Sequence, residues 1–116
     1  MPRWKFVLLL IPTLPLFSLL ALSQEKAAPA VMKGDLERGR NIFENVCTEC
    51  HDGYSKDMLI GPGLKGLKEG KLPDGTPVSA EVLLDLINRG PAEMPSFKTR
   101  LTEQQKADVV AFVLTL

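Results

Sequence analysis

Cys47-Thr48-Glu49-Cys50-His51 contains both cysteines and the single histidine of a chain of 116 residues. In a helical turn, Cys47 and Cys50 lie on the same side of the backbone because they are three residues apart. Each thiol can then add to a vinyl group of a haem, and the adjacent His51 can direct a ring nitrogen at the iron. The spacing C-x-x-C-H is that of c-type haem attachment. We therefore expect one haem c, covalently bound through Cys47 and Cys50, with His51 as an iron ligand.

Three other interpretations of this motif compete with haem attachment. A structural disulfide forms readily outside the cytoplasm, but it has no use for an adjacent histidine. A thioredoxin-like redox pair usually accompanies a βαβ pattern, and none is visible in this sequence. A structural zinc site needs four ligands, whereas the chain has only two cysteines and one histidine.

Residues 1–23 have the features of an export signal. Two basic residues precede the uncharged, mostly apolar residues 6–22, and Ala21-Leu22-Ser23 places small residues at both ends of a tripeptide, as signal peptidase sites do. The alternative is an uncleaved membrane anchor formed by residues 6–22, whose length is at the lower limit for crossing a bilayer. Either outcome delivers the remainder of the chain to the periplasm, where haem is attached to such motifs in bacteria.

Residues 24–33 are predicted to be a flexible tether, because they show no periodicity, and residues 34–116 to be one small domain. The chain has 14 basic and 14 acidic side chains, and removal of residues 1–23 leaves it mildly acidic. Such a balance excludes a strongly basic nucleic-acid-binding protein, so we expect no nucleic-acid partner. A domain of this size often needs a cofactor or a covalent cross-link to be stable, and a bound haem provides both.

Residues 34–116 resemble a monohaem class I cytochrome c. In that family an amino-terminal helix leads into the haem motif, a carboxy-terminal helix crosses it, and the iron is ligated by His and Met. The resemblance implies an all-α fold, a small cytochrome c fold of three to five helices and loops wrapped around one covalently bound haem. The sequence agrees, since no stretch shows the sustained alternation of a β-strand.

The first helix is predicted to begin after Asp35, whose carboxylate can cap it. Its apolar residues recur at steps of three and four and predict a single buried face, formed by Leu36, Gly39, Phe43 and Val46. Gly39 is a poor helix former, so its presence favours close approach of another helix. The resemblance agrees here, because the family has a glycine and an aromatic residue at the positions of Gly39 and Phe43.

Two further helices are predicted downstream. One spans residues 80–89, and the last begins at Thr102, where Thr102 and Gln105 fit the capping-box pattern. Phe112 in the last helix stands where the family commonly has an aromatic residue packed on the first helix. We therefore predict a contact between Gly39 and Phe112.

Met94 is the predicted second iron ligand. It lies 43 residues after His51 and is followed by Pro95, which matches the Met-Pro ligand dipeptide of the family. Proline restricts its own backbone and that of the preceding residue, which helps to present the thioether from a rigid loop. Met58 is only seven residues after His51, so the chain would have to turn very sharply to reach the opposite face of a haem. The alternative role of Met94 is to fill a gap in the core.

The resemblance assigns two more residues to the haem pocket. The carbonyl of Pro62 would accept a hydrogen bond from His51 and thereby orient its ring, and Leu64 would pack on the haem. Phe97 follows Met94 by three residues and is expected near the ligand loop, against haem or core. The sequence offers four candidates for binding the haem propionates without choosing among them: Tyr54, Arg89, Lys98 and Arg100.

These expectations favour a function in electron transfer. An iron with protein ligands on both faces has no open site for oxygen or substrate, so we expect an electron carrier and not an enzyme. Its partners would be redox proteins that donate and accept one electron in small, transient encounters with a monomer. One alternative is a cytochrome c subunit of a membrane or periplasmic oxidoreductase complex, such as a dehydrogenase or a sulfur-compound oxidising system. Another is a haem-based ligand sensor.

Overall fold

The structure is a computed structural model that describes residues 32–116. The predicted signal or anchor of residues 1–23 lies outside the described residues, as does most of the predicted tether. The described part is all-α, with three helices and no β-strand, as expected, and none of these helices is long and apolar enough to cross a membrane. The elements are α1 (Leu36–Ile42), a π-helical turn (Phe43–Cys47), a short 3₁₀ helix (Leu67–Glu69), α2 (Ala80–Arg89) and α3 (Glu103–Val113).

The caps of the helices are those that the sequence predicts. The Asp35 carboxylate accepts a hydrogen bond from the backbone N–H of Arg38 at 2.9 Å, at the start of α1. The capping box of α3 is complete, since Thr102 and Gln105 each accept a hydrogen bond from the backbone N–H of the other. Helix α2 ends where Gly90 adopts a φ of 62°, a left-handed conformation that glycine takes without strain.

The predicted apolar face of the first helix is narrower than expected. Gly39 and Phe43 are buried, but Leu36 and Val46 are 53% and 38% exposed, so the prediction was wrong for these two residues. Leu36 stands in the first turn of α1. From Phe43 onward the helix widens to a π-helical turn, which rotates Val46 away from the position that regular α-helical spacing would give it.

Helices α1 and α3 cross at Gly39. A methyl group built on Gly39 would overlap the carbonyl oxygen of Asp108 and would lie 2.9 Å from the Cβ of Phe112, so only glycine permits this approach. One turn later the rings of Phe43 and Phe112 pack with centroids 5.6 Å apart. The predicted contact between Gly39 and Phe112 is therefore confirmed. These two rings belong to the core of the domain, which also includes Leu64 and Val109.

A buried carboxylate fixes the same crossing. Asp108 is 1% exposed and accepts hydrogen bonds from the backbone N–H of Asp35 at 2.7 Å and from the Arg38 guanidinium at 2.8 Å. Gln104 donates a further bond at 2.8 Å. The hydrogen bond from Arg38 lowers the pKa of Asp108 to about 2, so this carboxylate is charged at neutral pH. Helix α1 is thus attached to α3 by polar as well as apolar contacts.

Candidate haem-attachment site

The C-x-x-C-H motif forms a tight backbone turn at the end of the π-helical turn. The carbonyl oxygen of Cys47 accepts hydrogen bonds from the N–H of Cys50 at 3.1 Å and from the N–H of His51 at 2.9 Å. Both cysteines are half-buried, and no disulfide joins them. The first helix therefore delivers two thiols and one imidazole from a single turn, which is the arrangement that covalent haem attachment requires.

The electrostatics of Cys47 do not suit thiol–disulfide exchange. Burial, with a smaller contribution from the neighbouring Cys50, raises the pKa of the Cys47 thiol to about 11. Redox-active cysteines instead have lowered pKa values, since the thiolate is the nucleophile. A raised pKa disfavours the thiolate that thiol–disulfide exchange needs, which weighs against the thioredoxin-like interpretation.

The ring of His51 is held by the chain that follows it. Its Nδ1 lies 2.8 Å from the carbonyl oxygen of Pro62. Because a carbonyl can only accept, Nδ1 must carry the proton, and Nε2 keeps its lone pair for a metal. The backbone N–H of Gly61 also donates to the carbonyl of Cys50 at 2.8 Å, so this loop returns to the motif itself.

The backbone of Gly61 packs directly against the His51 ring. A Cβ at this position would overlap the His51 ring and lie 2.8 Å from its Nδ1. The absence of a side chain is therefore what allows the loop to cradle the imidazole. The Gly61-Pro62 pair thus serves the histidine twice, by leaving room for the ring and by accepting its hydrogen bond.

The donor set fits a haem and not an isolated metal ion. In the part of the chain that the structure describes, no group of three or more His, Cys, Asp and Glu side chains could hold a metal. Two thiols three residues apart and one oriented imidazole are the protein groups that a haem c needs on its proximal side.

Met94 lies half-buried in a loop between α2 and α3. Its N–H donates to the carbonyl of Pro91 at 3.0 Å, which closes a turn containing Ala92 at a φ of 51°. At the start of the loop a Cβ on Gly90 would overlap the backbone of Pro95 and Ser96. The loop is therefore folded tightly against the end of α2.

Two hydrogen bonds attach the far side of this loop to α2. The Ser96 hydroxyl donates to the carbonyl oxygen of Asn88 at 2.6 Å, and the N–H of Phe97 donates to the carbonyl oxygen of Ile87 at 2.8 Å. The Phe97 side chain is buried. Met94 is thus carried by a segment that is fixed at both ends, whereas Met58 is 70% exposed.

The other predicted pocket residues lie in different surroundings. Leu64 is buried in the same core cluster as Phe43. Among the propionate candidates, Arg89 forms an ion pair with Asp85 at 2.7 Å, and the Arg100 guanidinium lies over the Phe97 ring at 5.7 Å. Tyr54 and Lys98 are exposed.

Sequence reasoning missed two polar residues behind the Met94 loop. Lys106 is 1% exposed, and its ammonium group donates to the side-chain oxygen of Asn88 at 2.7 Å. A signal was present, because Lys106 stands three and four residues before Val109 and Val110 and hence on the apolar side of α3. A lysine in such a position needs a partner.

A continuous exposed apolar segment lies next to the motif. Met58, Leu59 and Ile60 are each more than half exposed, as is Tyr54. The segment is tied to the haem motif because it leads directly into Gly61, which bonds to Cys50. We call residues 58–60 the apolar loop surface. It is the kind of surface that meets other proteins.

Comparison with known proteins gives consistent results. Residues 34–113 match the family model described as cytochrome C oxidase, cbb3-type, subunit III. The chain is 33% identical over 86 residues to cytochrome c6 of Thermosynechococcus vestitus, which covers 74% of each chain. It is 38% identical over 81 residues to cytochrome c6 of Alaria esculenta, which covers 70% of this chain and 91% of the relative. The solved structure of cytochrome c6 from the diatom Phaeodactylum tricornutum superposes with a TM-score of 0.57 at 30% identity, over 71% of this chain and 93% of the other.

Proposed function

Because this chain belongs to the c-type cytochrome family, we propose that it is a periplasmic carrier of single electrons whose iron is ligated by His51 and Met94. Membership of the family makes the chain an electron carrier and not an enzyme, with one haem c bound covalently through Cys47 and Cys50. The periplasmic location and the ligation of the iron by His51 and Met94 are what we propose beyond family membership.

The contact between His51 and Pro62 is the observation that carries this proposal. The Pro62 carbonyl fixes the proton on Nδ1 and prevents rotation of the ring, so Nε2 presents a lone pair in one direction. A hydrogen bond of this kind also increases the donor strength of the imidazole. A histidine that only filled the core would need no such restraint.

The loop around Met94 supports the second ligand. Turn closure at Pro91 and the two hydrogen bonds to α2 restrict the backbone on both sides of Met94. A thioether binds iron weakly, so it stays bound only if little conformational entropy is lost when the chain holds it in place. A rigid loop meets that condition.

A bound haem supplies the Fe(III)/Fe(II) couple, and the chain's own residues set the conditions for using it. The side chains of Phe43, Leu64 and Phe97 are buried and form an apolar interior from which water is excluded. A Met ligand and an apolar surrounding both favour the ferrous state, so we expect a higher reduction potential than that of a haem with two histidines.

The partners in this proposal are redox proteins that dock at the apolar loop surface. This surface lies beside the attachment motif, and the charged residues around it are mixed in sign: Glu49, Asp52, Lys56, Asp57 and Lys65. Small apolar contacts with mixed charge suit brief encounters of a monomer with donor and acceptor proteins.

Residues 1–23 are proposed to be removed on export, with residues 24–33 as a tether ahead of the domain. Determination of the amino-terminal sequence of the protein isolated from its native host tests this part. A mature chain beginning at Gln24 supports cleavage. A chain that retains residues 6–22 and sediments with membranes contradicts cleavage and supports the anchor.

A second candidate function is a subunit of a membrane oxidoreductase complex. The description of the matching family model, a subunit of a cbb3-type oxidase, favours it. The two functions are distinguished by purification under mild detergent conditions. A free carrier elutes at its monomer size, whereas a subunit elutes with its complex.

The ferric optical spectrum of the protein carrying its haem tests the ligand pair. We expect low-spin iron with the weak thioether-to-iron band near the red end of the visible spectrum. Met94→Ala should abolish the band, and the matched control Met58→Ala should retain it. A high-spin ferric spectrum in the intact protein would contradict the assignment and would favour a ligand-sensing haem. Loss of the band in Met58→Ala would contradict it by identifying Met58 as the ligand.

A further inference from the structure

Lys106 is a buried cation that lies outside the proposed haem ligands. It is 1% exposed in α3, and its ammonium group is bonded to the Asn88 side-chain oxygen and to the carboxylate of Glu103. Burial of a lysine is costly, and an apolar residue of the same length would pack at this point without that cost. A buried cation of this kind calls for a specific role.

Asn88 connects Lys106 to the loop that carries Met94. The side chain of Asn88 accepts a hydrogen bond from Lys106 at 2.7 Å, and its backbone carbonyl accepts one from the Ser96 hydroxyl at 2.6 Å. Ser96 is two residues after Met94. A continuous series of hydrogen bonds therefore runs from the buried ammonium group, through the end of α2, to the loop.

The position of Asn88 makes this connection effective. It is the penultimate residue of α2, where the helix has no further turn to hold its carbonyl groups. The loop bonds to these carbonyls, so any fraying of the last turn of α2 would release Ser96 and Phe97 together. Lys106 in the neighbouring helix α3 opposes this fraying because its ammonium group donates a hydrogen bond to the Asn88 side chain.

We propose that Lys106 is a positioning residue for Met94, acting through Asn88 and Ser96 to hold the sixth ligand at the iron. The inference rests on the proposed His/Met ligation. It predicts that Lys106 determines how readily Met94 leaves the iron, although the hydrogen bonds of Lys106 go to Asn88 and Glu103 and not to Met94.

The affinity of the ferric protein for imidazole tests this role, because imidazole must displace Met94 to bind. Lys106→Met removes the ammonium group while keeping the length and apolar stem of the side chain. We expect it to strengthen imidazole binding about tenfold, which corresponds to about 1.4 kcal/mol. Asn88→Ala should produce a similar increase, and the double variant should add little to either, since both act through one contact.

Ser79→Ala is the matched control. It removes the cap at the opposite end of α2 and destabilises the same helix without touching Asn88. Its unfolding midpoint should fall while its imidazole affinity stays within twofold of wild type. Lys106→Arg, which keeps the charge, should restore part of the wild-type behaviour.

The outcomes separate this inference from the proposed function. If wild-type ferric protein lacks the thioether band, the His/Met assignment fails and the inference fails with it. If wild type has the band but Lys106→Met and Asn88→Ala bind imidazole like wild type, or no more tightly than Ser79→Ala does, only the inference is overturned. If Lys106→Met does not fold, the comparison of Asn88→Ala with Ser79→Ala decides in the same way.

Discussion

The Cα of Gly39 in α1 faces the Cβ of Phe112 in α3 so closely that a methyl group on Gly39 would lie 2.9 Å from that atom. The same methyl group would overlap the Asp108 backbone, which cannot move without displacing α3. The packing of the two helices therefore depends on the absence of a single carbon atom. The π-helical turn joins α1 to the haem motif, so this crossing also sets where the motif stands relative to the core.

Gly39→Ala is expected to destabilise the protein strongly. The added methyl group would force α1 and α3 apart, at a cost of about 3 kcal/mol that exceeds the gain in helix propensity. Urea unfolding followed by circular dichroism measures the change. Asn41→Ala, an exposed change in the same helix, should alter the free energy of unfolding by less than about 0.5 kcal/mol. Equal stability of Gly39→Ala and wild type would show that the helices do not cross as described.

Asp108 is expected to make the protein sensitive to acid. Its folded-state pKa is lowered from 3.8 to about 2, so its contribution to stability is complete above pH 4 and disappears as the pH falls towards 2. Asp108→Asn should lower the stability at neutral pH by about 2 kcal/mol, and the gap between variant and wild type should narrow between pH 4 and pH 2.

Asp85→Asn is the control for this pH dependence. It removes an acid from an exposed pair with Arg89 and should cost less than about 1 kcal/mol at any pH. Thermal unfolding across a pH series measures all three proteins. A gap between Asp108→Asn and wild type that is constant from pH 7 to pH 2 would contradict the assigned role of the Asp108 carboxylate.

Gly61→Ala is expected to disturb the histidine ligand without unfolding the domain. The new methyl group would push against the His51 ring and weaken the bond from Nδ1 to the Pro62 carbonyl. We expect an altered ferric spectrum and a higher reduction potential, because a weaker imidazole donor stabilises ferric iron less. Gly75→Asn is a suitable control, because Gly75 has open space around it and a φ of 87°, which asparagine tolerates better than most residues. A wild-type reduction potential in Gly61→Ala would show that Gly61 does not position the His51 ring.

Ala92 is expected to be strained, because it adopts a φ of 51° in the turn before Met94. A β-branched residue fits this conformation poorly, so Ala92→Val should cost about 1–2 kcal/mol, whereas Ala92→Gly should cost nothing or stabilise slightly. Glu93→Val, in the same turn but outside the left-handed region, should change stability by less than about 0.5 kcal/mol. Equal losses in both valine variants would show that the backbone conformation is not the cause.

The haem motif and the helix caps were predictable from local sequence, whereas the contact between Gly39 and Phe112 was predicted from the resemblance to class I cytochromes c. C-x-x-C-H is specific because covalent attachment needs two thiols and a histidine in one turn. Asp35, Ser79 and Thr102 each cap a helix through a side chain that bonds three residues ahead, so a short window of sequence contains the whole signal.

Other features depended on contacts between residues that are far apart in the chain. Val46 was placed on a buried face by regular α-helical spacing, but the helix widens from Phe43 onward, and periodicity does not encode that widening. Two of the three partners of Asp108, Asp35 and Arg38, stand about 70 positions earlier, so no local pattern indicates that this acid is buried.

The sequence by itself determined the chemistry, because the covalent attachment of a haem requires particular atoms at a fixed spacing. It also determined where the helices begin, since caps act over three residues. Only the tertiary structure decided how the Met94 loop is held. Lys106 and Asn88 are separated by 18 positions, and their hydrogen bond exists only once α2 and α3 have packed together. Long-range polar contacts of this kind depend on the relative placement of whole helices, which is set by the packing of the entire core.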